Sequence, residues 1–529
     1  MKKENWLFQC FLNDFLIKIW YNYIGGSMNK IVNRAVLILT TIIFSIIFIF
    51  SLFMQSNVFY NQNHLMSLLL TVPVFIIFYN LIKLKNVGKF KNLSIKKTVL
   101  FLIIYYIIVS IIQFIVLKYL SIDPGWDFGV IYDNAVKYIN EGTIKNSVYP
   151  EYFQYYPNNI MLFVIEIIFI KLGNLFGIKS LFSCYIMNII FIDFSMLLLF
   201  LVLRKKYDNI TGIIGLLISL FFIPLFLYVP IFYSDTMSLF IPLLIMLLYL
   251  YVDDNKSKTN YIIFICLGFV LFLGWQIKIS SIFILIAILV DYILKHKKIF
   301  INLLLMIIVF GISTILFKLL IVNNDRFEFQ QNEYGSYPFT HWIMMGVEDI
   351  NKDNSGRNSY GGYSIEDYDL SRSFPTGKAA VEFNLKEYTR RVKKLGIIGY
   401  SEFLLRKSVN IWADGYYFSD TKININPKNS DNLIRNFMFN NENSKFLMVN
   451  FTQAVQYVFI LTLIIGSIIK ISQKDNKFDY LRLTIIGLFV FFLFWEARSR
   501  YIFNYIPIFI LIIIEGMMIL NDKRIDKKI

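Results

Sequence analysis

The sequence predicts an all-α polytopic membrane protein, and three observations carry that expectation. Apolar residues make up 57% of the 529-residue chain and charged residues only 17%, with a mean hydropathy of +0.58, whereas soluble domains carry roughly a quarter charged residues. The apolar residues are gathered into runs of the length that crosses a bilayer, about 20 residues or somewhat fewer inside a bundle. The net charge of +16 falls mostly in short Lys/Arg clusters between those runs, the pattern that keeps basic loops in the cytoplasm. A lipid bilayer is therefore the expected partner, and no nucleic acid is.

Residues 1–34 read as a cytoplasmic or interfacial segment: WLFQCFLNDFLIKIW is amphipathic, and Met28 opens MNKIVNRAVLIL, a basic lead into the first span. No small-residue cleavage site follows that span, so it reads as an anchor. Residues 35–96 hold two N-terminal spans, at 35–54 and 65–82, closed by the basic loop KLKNVGKFKNLSIKK. The core, 97–321, runs outward at 97–120 into an outer loop, 121–179. Within that loop 160–170 is apolar but short and carries Glu166. Counted as a span, it would reverse the sign of every later loop, so it is laid on the outer surface as an interfacial helix.

Spans at 181–203, 213–228, 237–252, 261–274, 282–294 and 299–321 then alternate with basic inner loops and short outer turns. Residues 322–450, rich in Asn, Asp, Gly, Ser and Tyr, form a large extracytoplasmic region between spans nine and ten. Within it SGRNSYGGYS is turn-rich, and KEYTRRVKKLGIIGYSEFLLRKSVNIWADG reads as amphipathic helix broken near Gly396 or Gly399. Residues 451–529 add spans at 451–469, 483–495 and 501–520 and a basic tail. The total is about 12 spans with both termini cytoplasmic. The wealth of Ile, Phe, Lys, Asn and Tyr with little Ala reads as an AT-rich, bacterial genome.

The outer loop SIDPGWDFGVIYDNAVKYINEGTIKNSVYPEYFQYYPNN puts acids at a membrane surface, where charge needs a reason. Asp127 follows the outward span and is a candidate for a functional carboxylate. Its rival role is to cap a helix beginning near Phe128. Asp235, in YSDT at the second outer turn, has the same two readings. Lys278 in WQIKISS and Arg498 and Arg500 in EARSRY suit a phosphate, or equally an interfacial anchor. Asp123 and Asp133 read as solvated or locally bonded. Trp126, Tyr155, Tyr156 and Trp342 offer aromatic faces to a substrate or are ordinary interfacial aromatics, while His341 beside Trp342 is a substrate contact or a packing residue. The histidines His64, His296 and His341 and the cysteines Cys10, Cys184 and Cys266 have neither metal-ligand nor disulfide spacing. No cofactor is required. A divalent cation at this site would take oxygen ligands from Asp127 and Asp235.

The order and sidedness of these motifs resemble the C superfamily of membrane glycosyltransferases (GT-C), and especially glycosyltransferase family 39, the protein O-mannosyltransferase and aminoarabinose-transferase branch. There an acid ends the first core span, and an Ala and a Gly follow along a surface helix; here these are Asp127, Ala135 and Gly142. The branch often has a second adjacent acid where this chain has Phe128. A Lys-Pro-Pro-Leu motif that opens a second surface helix corresponds to Tyr156, Pro157, Asn158 and Asn159. The resemblance implies a GT-C-like bundle and a polyprenyl-phosphate-linked sugar as donor. It further implies an inverting transfer with Asp127 as base, Lys278, Arg498 and Arg500 on the donor phosphate, and Asp235 and Asn158 among the substrate contacts. The acceptor would be an envelope glycan, lipid or protein. Rival classes are a polytopic flippase or transporter, and a polymerase or ligase of lipid-linked polysaccharide. Nothing in the sequence speaks to oligomeric state.

Overall fold

A computed structural model of the chain describes residues 26–57, 60–86, 93–147, 149, 151–296, 299–325, 327, 329, 333–348, 360–474 and 477–526. The amphipathic segment expected before residue 26, part of the basic loop (87–92), the turn-rich stretch up to 359 and the end of the tail lie outside the described residues. Among the described residues the chain is helical and has no strand; its extended contact is an antiparallel bridge from Ile122 to Pro427.

Helices α1 (Gly26–Ser51), α2 (His64–Lys83) and α3 (Ile95–Leu120) are followed by α4 (Trp126–Glu141), α5 (Ile160–Leu175) and α6 (Ser180–Lys206). Next come α7 (Asn209–Ser219), α8 (Phe240–Tyr249), α9 (Ser257–Ile277), α10 (Phe283–Lys295) and α11 (Ile299–Phe317). The 322–450 region contributes α12 (Phe339–Met345), α13 (Ile365–Arg372) and α14 (Gly377–Trp412). The chain closes with α15 (Glu442–Ser472), α16 (Tyr480–Phe494) and α17 (Ile506–Asp526). Short polar side chains start many of them: Asn63, Ser94, Asp208, Ser364, Thr376, Asn441 and Asp479 each accept a hydrogen bond from a first-turn backbone N–H. Gly142, left-handed at φ 75°, ends α4.

Among the described residues, nine helices are long and apolar enough to cross a membrane. Eight fall on spans expected from the sequence; the ninth is Pro157–Leu175. The other four expected spans correspond to α7, α8, α10 and α16, which are shorter. Each is cut short where a turn enters the bundle: Pro224–Leu227 and Ser234–Met237 between α7 and α8, Ile279–Ile282 before α10, and 495–498 after α16. The centre of the bundle is α15 with the Ser499–Asp522 helix, 89% buried, and α3 and α11 lie outside it, 22% and 11% buried.

Side-chain contacts assign the junctions to two ends of the bundle. At one end Lys85 pairs with Asp208 and His296 bonds Asp254, joining the α2–α3, α6–α7, α8–α9 and α10–α11 connections. At the same end lies a buried ion network: Arg482 bonds Asp479 (2.5 Å) and Glu515 (2.8 Å), and Lys470 and Lys206 complete it. Gly466 makes room for it, since a Cβ there would stand 2.7 Å from the Arg482 guanidinium. The remaining junctions gather at the opposite end, called here the site end.

The contacts of α5 begin at the site end. Its N-terminus adjoins the site end through Asn159, and at its other end Gly173 packs on Ser183, two residues from Tyr185, whose hydroxyl bonds the Ile122 carbonyl at the end of α3. Both ends of α5 therefore have contacts toward the site end, while its length and apolar character equally suit a span. It is longer than the 160–170 run because Lys171 does not stop it; its ammonium lies over the Tyr138 ring at 5.7 Å. The break in α14 falls at Gly396 (φ 65°, ψ 179°), and the Tyr388 and Tyr400 hydroxyls, 2.9 Å apart, close the helical hairpin.

Candidate active site

Asp127 is the second residue of α4. Gly125 is the cap position and makes no side-chain bond, so the carboxylate does not cap the helix. Its Oδ1 accepts from the Tyr152 hydroxyl at 3.0 Å, and that hydroxyl accepts from Asn159 Nδ2 at 2.7 Å. Asn159 thus turns the phenol proton toward the acid. Burial and the Asp127 charge push the Tyr152 and Tyr156 hydroxyl pKa values up, so both phenols stay neutral donors. The first turn of α4 also favours a carboxylate electrostatically.

Facing this acid is a group of buried charges from four other junctions. Asp235, 1% exposed, takes Lys278 Nζ at 2.5 Å on one oxygen and Arg500 Nη1 at 3.0 Å on the other. Arg500 lies over the rings of Trp126, Tyr233 and Tyr501. Glu496 accepts from the Tyr501 hydroxyl at 2.5 Å, and burial pushes its carboxyl up. Lys422, on the short helix Ser419–Ile423, holds its ammonium 3.5 Å from the Trp126 centroid. Burial, then repulsion from Arg500, pushes Lys422 well below the ordinary lysine range, against the pull of Asp127. Arg498 lies over Phe418 at 4.9 Å. Four basic side chains, Lys278, Lys422, Arg498 and Arg500, thus meet the carboxyl groups of Asp127, Asp235 and Glu496, with Glu348 also acting on Arg498.

A family model matches residues 27–518. The chain belongs to the family of conserved hypothetical integral membrane proteins. No curated protein and no solved structure matches it. This integral membrane protein is multi-pass and has the lipid bilayer as its partner.

Of the residues singled out in the sequence of this integral membrane protein, the structure brings Trp126, Asp127, Asp235, Lys278, Arg498 and Arg500 into one cluster. Tyr156 borders it, 5.1 Å ring to ring from Tyr152, and Trp342 stands beyond, 6.1 Å from Tyr156 and stacked on Trp495. Tyr155 turns the other way, bonding Glu151 and packing on Tyr334 and Tyr337. Asn158 is exposed, and the neighbouring Asn159 is the one that reaches the site. His341 is buried away from the acids, stacked on Tyr337 and bonded to Ser371 at 2.8 Å, and burial lowers its pKa to about 4. Asp123 pairs at the surface with Lys428. For a metal, both oxygens of Asp235 are already taken by cations. Among the described residues no three His, Cys, Asp or Glu side chains converge as ligands. Sequence reasoning missed Tyr152, Asn159, Tyr233, Lys422 and Glu496. Glu496 was legible in principle, as the remaining charge of EARSR; Lys422 carried no local signal.

Proposed function

We propose that the protein is a glycosyltransferase of a bacterial cell membrane. It takes a sugar from a polyprenyl-phosphate donor and adds it to an envelope glycan, lipid or protein on the extracytoplasmic face, with both termini cytoplasmic. The observation that carries this reading is the convergence at one end of the bundle of Asp127, oriented by Tyr152, with the buried basic side chains Lys278, Lys422, Arg498 and Arg500. The acceptor hydroxyl oxygen attacks the anomeric carbon while Asp127 takes its proton. The bond between that carbon and the phosphate oxygen breaks, its electron pair stays on the phosphate, and the cations hold the growing negative charge. A single displacement of this kind inverts the anomeric centre. Trp126, Tyr156 and Tyr233 supply aromatic faces for the sugar.

A polymerase or ligase consuming a pyrophosphate-linked oligosaccharide is the second reading, favoured by the four basic side chains gathered at the site. Mass spectrometry of polyprenyl-linked lipids from cells carrying wild type or Asp127→Asn, at equal membrane abundance, tests both. Accumulation of a polyprenyl-monophosphate sugar in the variant is the expected result and identifies the donor. Accumulation of a pyrophosphate-linked oligosaccharide selects the second reading, and unchanged lipid pools under conditions that require the gene overturn both.

A further inference from the structure

The cations of the site are of two kinds. Lys278 and Arg500 are spent on Asp235, one on each carboxylate oxygen. Lys422 and Arg498 are not ion-paired among the described residues; they flank the Phe418 ring, at 5.7 and 4.9 Å from its centroid, and Lys422 also covers Trp126, next to Asp127. A buried ammonium without a carboxylate is costly, and aromatic faces repay only a part of that cost.

The backbone that holds this pair in place is strained. Tyr417 and Phe418 are consecutive non-glycine residues in the left-handed region, at φ 51° and 63°, a conformation that costs of order 1–3 kcal/mol per residue and persists only where its surroundings enforce it. The enforcement is visible: Asp414 accepts from the backbone N–H groups of Tyr416 (3.0 Å) and Phe418 (3.2 Å), and from the Ser499 hydroxyl at 2.6 Å. Ser499 stands between Arg498 and Arg500. Asp414 therefore ties together the two segments that present Lys422 and Arg498.

We propose that Lys422 and Arg498, set around Phe418 by the Asp414-held turn, form the subsite for the phosphate of a polyprenyl phosphoester, with the Lys278–Asp235–Arg500 triad as its fixed wall. This rests on the transferase reading and deepens it. A sugar phosphodiester carries one negative charge and leaves as a monoester of about −1.5 to −2, so the subsite gains most from the product-like charge, as stabilisation of a departing phosphate requires.

The test uses the full chain in nanodiscs and measures binding of a polyprenyl monophosphate, with the matching polyprenol and inorganic phosphate as controls. The variants are Lys422→Met, which keeps the stem on Trp126, Lys422→Arg, Arg498→Gln, Lys278→Met and Asp127→Asn. Wild type is expected to bind the polyprenyl monophosphate and not the polyprenol. Lys422→Met and Arg498→Gln each weaken binding tenfold or more at unchanged unfolding temperature, and Lys422→Arg restores it. Asp127→Asn, which removes a negative charge from the same space, binds at least as tightly as wild type. Full affinity in Lys422→Met and Arg498→Gln, with loss in Lys278→Met, overturns the subsite and leaves the transferase reading standing. Binding of inorganic phosphate as tight as that of the lipid overturns the lipid phosphoester as ligand. A wild type that binds no phosphate at all overturns the subsite and the transferase reading together.

Discussion

At Asp235 one carboxylate pairs with two cations inside the bundle, and removing it would leave both without a carboxylate partner. Breaking a buried ion pair from one side costs roughly 3–5 kcal/mol, so Asp235→Ala is expected to lower the unfolding temperature of the purified protein sharply. The loss should shrink when Lys278→Met is added, because one of the stranded charges is then gone. A second residue-scale prediction concerns Asp414 and Asp420, which share the Asn57 amide at 3.2 and 2.8 Å. Burial, then the Asp414 charge, raises Asp420 to about 7. A carboxyl whose folded pKa is raised holds its proton more tightly when folded. Its contribution is complete below the ordinary carboxylate range near 4 and is lost as pH rises through about 7. Wild type should therefore lose stability between pH 4.5 and 7.5, relative to Asp420→Asn, in thermal unfolding across that range. Asp235, Lys278 and Arg500 were legible in the sequence because each stands in a short turn between long apolar runs, and Asp127 because it follows a span at the head of the polar outer loop. Lys422 was not, since charge is common in 322–450 and only tertiary packing brings Ser419–Ile423 over Trp126.

Among the elements, the joint between α14 and α15 decides whether the strained turn reaches the site. A Cβ at Gly415 would stand 2.2 Å from the Thr452 carbonyl oxygen and 2.4 Å from its carbon, both backbone atoms that cannot move aside. Gly415→Ala is expected to cost about 1–3 kcal/mol through overpacking and to weaken lipid-phosphate binding by displacing Lys422. Gly311→Ala, where nothing lies within 4 Å, should leave both unchanged in the same thermal and nanodisc measurements. Helix α4 was legible down to its closing Gly142, and the α14 break at Gly396 was one of two positions that the glycines allowed. The true length of α5 was hidden because Lys171 reads as a stop, while its place over Tyr138 depends on α4. The shortness of α7, α8, α10 and α16 was hidden too, for apolar runs do not record how deeply polar turns intrude.

For the molecule as a whole, the up-and-down order of the spans predicts which surfaces meet which compartment. Lys386, in α14, belongs to the region that supplies Lys422; Lys256 lies at the α8–α9 junction of the opposite end. In a chain whose native cysteines are replaced by serine, Lys386→Cys should react with a membrane-impermeant maleimide in intact cells. Lys256→Cys should react only after the membrane is opened. The reverse pattern would put the site in the cytoplasm and remove the reading of an outward-facing transferase. The membrane class and most spans followed from composition and charge clusters alone; the two-ended gathering of junctions needed the contacts. The ion network remote from the site has a consequence for how the protein is made. Glu515 arrives on α17, after the segments that carry Lys206, Lys470 and Arg482, and before it does these three have only Asp479 to answer them. A chain halted short of α17 would carry surplus positive charge within an apolar bundle, which is costly to bury. Closure of the network by Glu515 thus reports on the packing of α17 at the end of the bundle opposite the site.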